Sequence, residues 1–125
     1  MSQNDQVSVL IHEFVHVDRD IAYDSSVKIV VSKDDYKFSN TMSNDVFEYY
    51  KSINFGDSID EVLTFLQSTE KNQHVLSDPQ RYLNEINAYE EEKRIFPNVS
   101  EQYRKEREAK IYYYKELYRM ALENK

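Results

Sequence analysis

The chain has 125 residues, 16 basic against 23 acidic for a net charge of −7, and 40% hydrophobic residues that include 11 Tyr and 6 Phe. That length suits one domain with a real core, and the acidic balance argues against binding to nucleic acid or an anionic membrane, where the phosphate term would repel. The absence of cysteine excludes disulfides and thiolate metal sites.

One Gly and two Pro among long charged runs at helical spacing point to a mainly α fold with a small β element, an α+β variant dominated by helices. No apolar run approaches the ~20 residues of a membrane span, and the start "MSQNDQ" lacks the basic region of a signal peptide. A cytoplasmic protein, or a domain delivered as part of a larger parent protein, fits this pattern. The expectation is a single unit over residues 1–125.

In chain order, Val7, Leu10, Ile11, Phe14, Val15, Val17 and Ile21 recur at spacings of three and four, predicting a helix from about Asp5 to Tyr23 buried on more than one side. Val27, Ile29 and Val31 alternate in a β-branched stretch and read as a strand. Lys33-Asp34-Asp35 can turn that strand into a second one through Tyr36 and Phe38, making a hairpin. Ser43 opens a helix expected to stop at Gly56, and Ser58 with Glu61 has capping-box spacing ahead of another. Asp78-Pro79 starts a helix through Tyr82, Leu83, Ile86 and Tyr89 that ends before Pro97. Ser100 opens a last, tyrosine-rich helix read as core or interface.

The first helix contains His12, Glu13 and His16 in the order H-E-x-x-H. Residues four apart share a helix face, so both imidazoles can address one ion, and neutral imidazole suits Zn²⁺. Glu13, one position beyond the first histidine, is placed to take a proton from a zinc-activated water and return it to a leaving group. Chance alone gives this pattern in a chain of this size at roughly the half-percent level. The bland alternative is a polar stripe facing solvent, with idle histidines.

These residues and their uncharged flanks, "VLIHEFVHV", resemble the zincin metallopeptidases. The metzincin extension is absent, since its glycine and histidine positions hold Arg19 and Ala22. Asn84-Glu85 with Ala88-Tyr89, in "RYLNEINAYEEE", is similar to the glutamate helix of gluzincins and of lethal-factor-like toxin peptidases. The resemblance implies a minimal zincin-like domain with His12, His16 and Glu85 as metal ligands. It further implies Glu13 as catalytic base, a tyrosine such as Tyr82 or Tyr89 as oxyanion donor, and a protein or peptide substrate. Independently of the family, Glu85 falls within the apolar arc of Tyr82, Leu83, Ile86 and Tyr89, where a carboxylate needs a cation or donors. Glu90, Glu91 and Glu92 read as solvated charge. Asp20 can support a ligating histidine, and His74, read as a loop residue, is the rival third ligand. The alternative function is a noncatalytic acidic helical module that binds a partner chain, or a degenerate zincin.

Overall fold

A computed structural model describes residues 2–20, 28–32, 37–67 and 73–123, with side chains for all of these except 14–20, 28–32 and 73–75. The protein is mainly helical, as expected. In order, the elements are α1 (Gln3–Asp20), β1 (Lys28–Ser32), α2 (Asn44–Ser52), α3 (Ile59–Gln67), β2 (Gln73–Ser77), α4 (Pro79–Ile95) and α5 (Glu101–Glu123). Helix α4 packs against both α1 and α5, and α2 packs against α5.

Local chemistry sets most helix starts. Ser2 Oγ accepts from the Asp5 N–H at 3.1 Å, so α1 begins two residues before the expected point. Ser43 Oγ accepts from the Val46 N–H at 3.3 Å and caps α2. Ser58 Oγ accepts from the Glu61 N–H at 3.2 Å, while the Glu61 carboxylate reaches back to the Asp57 N–H at 2.8 Å. Asp78 caps α4 through the Gln80 N–H at 2.9 Å, with Pro79 in the first turn. Each arrangement satisfies N–H groups that the helix itself leaves without a partner.

Three expectations are corrected. Helix α2 ends at Ser52, and the left-handed residue after it is Asn54 (φ 66°), a role asparagine tolerates better than most residues. Gly56 serves a different purpose: a Cβ there would stand 2.7 Å from Glu61 Cβ and 2.9 Å from the Val62 nitrogen. The glycine permits the close approach of the α2–α3 connection to α3. The strand β1 pairs antiparallel with β2, Val30 opposite Val75, instead of forming a local hairpin. The proposed turn at 33–35 lies outside the described residues, and Phe38 sits in coil with its ring in the core. His74 therefore lies in a strand, not a loop.

The third correction concerns α1. Its described half exposes Val7 and Leu10 (58% for Leu10) and buries Asp5, Ser8 and His12. In this half the buried residues are polar, and Val7 and Leu10 lie on the exposed side. The main apolar core lies elsewhere, where Phe38, Met42, Val46, Tyr50, Val62, Leu76, Leu117 and Met120 converge from α2, α3, β2 and α5 and their flanks. Full burial of side chains of this size contributes about 1.5–3 kcal/mol each. The tyrosines of α5 pack against that core, as the sequence suggested.

Candidate functional site

The α1–α4 contact is built around His12, which is 6% exposed. Its Nε2 stands 3.4 Å from Glu85 Oε2, and its Nδ1 stands 3.2 Å from Glu92 Oε2. The ring also lies against Tyr89, centroids 4.0 Å apart and tilted by 48°. Glu85 and Glu92 are seven residues apart, two helical turns, so α4 presents both carboxylates to one imidazole. Burial disfavours the charged ring, but the contacts with Glu85 and Glu92 outweigh it and raise the His12 pKa to about 9.

Glu92 is fully buried, and the sequence reading of it as solvated charge is overturned. Its Oε1 accepts from the Ser8 hydroxyl and from the Tyr103 hydroxyl, the latter at 2.5 Å. Arg107, 2% exposed, donates from Nη1 to Ser8 Oγ at 3.3 Å and stands 3.5 Å from Glu92 Oε1. Burial alone would raise the Glu92 pKa, yet the contacts with His12, Ser8 and Tyr103 hold it below its ordinary value. A signal for this was present in the sequence. Glu92 follows Tyr89 by three and Glu85 by seven, which continues the stripe of α4 that faces inward.

Beside this network a cleft of about 470 Å³ opens among α1, α4 and α5, lined by His12, Glu13, Glu85 and Tyr89, with Arg81 and Lys110 among its charged residues. Three of the residues singled out in the sequence, His12, Glu13 and Glu85, thus share one cleft. Glu13 is exposed to it. His16 follows one turn later on α1, and its side chain, like those of Asp20 and His74, lies outside the described set. Tyr82 does not line the cleft. Its hydroxyl accepts from the Ser77 N–H at 2.8 Å and fastens the end of β2 to α4. Tyr89 and Tyr103 are the tyrosines at the cleft, and burial pushes the Tyr89 hydroxyl pKa up.

The donor set can be tested against zinc. Zn–N and Zn–O bonds of about 2.0–2.2 Å at a tetrahedral angle put two ligand atoms about 3.3 Å apart, close to the 3.4 Å between His12 Nε2 and Glu85 Oε2. A carboxylate on the other ring nitrogen is the usual support for a ligating histidine, and Glu92 occupies that position. Among the described side chains no group of three His, Asp or Glu donors surrounds a common point. The described part of the site supplies two ligand candidates.

No helix among the described residues is long and apolar enough to cross a membrane. In comparisons with known proteins, no family model, no curated protein and no solved structure matches this chain.

Proposed function

We propose that the cleft is a zinc-dependent peptide-hydrolysing site in which His12, His16 and Glu85 hold the metal. The observation that carries this reading is the pairing at His12: a pocket-side nitrogen 3.4 Å from Glu85 and a buried nitrogen 3.2 Å from Glu92. Zinc in such a site acidifies water and polarises a carbonyl oxygen. Glu13, exposed in the cleft, takes the proton from the attacking water and delivers it to the departing amine. Glu92 is a positioning residue: its buried carboxylate faces His12 Nδ1 at 3.2 Å and favours a proton on that nitrogen, and Ser8, Tyr103 and Arg107 hold Glu92. Tyr89 packs on the His12 ring and restricts its rotation. Incubating zinc-supplemented protein with a broad peptide mixture tests the reading. Cleavage by wild type, with Glu13→Ala retaining zinc but not cleavage, supports it; a Glu13→Ala variant as active as wild type overturns the role of Glu13.

A second reading has its own observation. Both ring nitrogens of His12 face carboxylates, so an imidazolium can hold α1 to α4 without any metal. On that reading the chain is a noncatalytic helical module that binds a protein partner. Chelator treatment separates the two, because a metal-free lock predicts no change in stability when EDTA is added.

A further inference from the structure

We propose that the substrate of this cleft is a peptide bearing an acidic residue close to the scissile bond, recognised by Arg81; this rests on the zinc-peptidase reading above. Arg81 lines the cleft from the first turn of α4, one helical turn ahead of Glu85 on the same face, and is exposed. A guanidinium offers two parallel N–H donors that match the geometry of a carboxylate. Four residues rise about 6 Å along the helix axis, so Arg81 and Glu85 face neighbouring parts of one cleft.

The charge of the cleft supports the same conclusion. Its lining carries Glu13, Glu85 and Glu106 against Arg81 and Lys110, while the buried Glu92 behind it is matched by Arg107. The lining also holds His12, and a divalent cation would add two positive charges to it. On a chain of net charge −7, the loaded cleft becomes a local positive site that favours anionic peptides. Lys110 is set on α5, where its Nζ meets Glu106 at 3.3 Å, on a different wall from the helix that bears Glu85.

The test is a cleavage profile of a mixed peptide library by mass spectrometry, using the zinc-supplemented full chain and its Arg81→Glu and Lys110→Glu variants. Wild type should favour Asp or Glu within three residues of the cut. Arg81→Glu should reduce that preference about tenfold and favour Lys or Arg instead, with Lys110→Glu changing it little. Circular dichroism spectra matching wild type verify that the variants fold, and Arg81→Gln, which keeps a polar side chain of similar length, should show an intermediate loss. Cleavage with no acidic preference, or a preference that survives Arg81→Glu or is abolished only by Lys110→Glu, overturns the assignment while leaving the zinc-peptidase reading intact. Cleavage no greater than that of Glu13→Gln overturns both.

Discussion

His12 Nδ1 and Glu92 Oε2 face each other at 3.2 Å across the α1–α4 contact, with the carboxylate fully buried. In the described half of α1 the buried residues are Asp5, Ser8 and His12, while Val7 and Leu10 are exposed. The contacts that hold this half of the helix are therefore the ones that orient the first histidine of the H-E-x-x-H pattern.

Glu92→Ala should destabilise the fold by about 3–5 kcal/mol, because it leaves Arg107 and the His12 ring buried without their carboxylate. Glu90→Ala, which removes an exposed partner 3.9 Å from Lys115, should change stability by less than about 1 kcal/mol. Urea midpoints of the two variants against wild type check this. Equal midpoints would mean the buried network does not hold α1.

The metal-free protein should lose stability as pH rises through the range set by His12. The ring is charged in the unfolded chain below about 6.5 and in the folded chain up to about 9. Its contribution is therefore complete below the first value and gone above the second, a change on the order of 3 kcal/mol. The groups that face it are Glu85, Glu92 and Tyr89 of α4, with Tyr103 and Arg107 of α5 behind Glu92. Denaturation midpoints of chelated protein from pH 6 to 10 should show this decline, and His12→Gln should remove it. Zinc competes with the same proton, so its affinity should climb over that interval.

Asp5 joins the start of α1 to the start of α5. Its carboxylate accepts from the Ser100 N–H at 2.8 Å and from the Ser100 hydroxyl at 2.6 Å, while Ser100 Oγ accepts from the Tyr103 N–H at 3.1 Å. Asp5→Ala should cost about 1–3 kcal/mol. Burial opposes ionisation of Asp5, but the Ser100 contacts prevail and lower its pKa. The stabilisation is thus present at neutral pH and lost on acidification below the ordinary aspartate range. A stability difference between wild type and Asp5→Ala that persists undiminished at pH 2 contradicts this.

Gly56→Ala should destabilise by about 2 kcal/mol or more, since its Cβ would overlap the first turn of α3. Asn54→Gly should be tolerated, because that residue already sits at φ 66°. Thermal unfolding of both variants gives the comparison; a harmless Gly56→Ala would mean that this turn yields easily.

What the sequence revealed and concealed follows a physical division. Ser43, Ser58, Asp78 and Ser100 were legible as helix starts because a cap acts over three residues. The β1–β2 pairing was not, because Val30 finds Val75 across the chain and no local signal names a partner. At the site, Glu85 was legible as a carboxylate on an apolar arc. Glu92 was hidden in a run of three glutamates, and only packing against two helices decides which of them is buried. The apolar spacing of α1 was read as burial, yet the buried residues of its described half, Asp5, Ser8 and His12, are polar, an outcome that depends on what they meet and not on α1 itself.

Whether His12 and Glu85 hold zinc is decided by the metal content of protein purified without chelator and dialysed against micromolar zinc. Wild type should carry about one zinc per chain, retained in Glu13→Ala and lost in His12→Ala and Glu85→Ala. Wild type without zinc, or His12→Ala carrying as much zinc as wild type, would contradict this assignment.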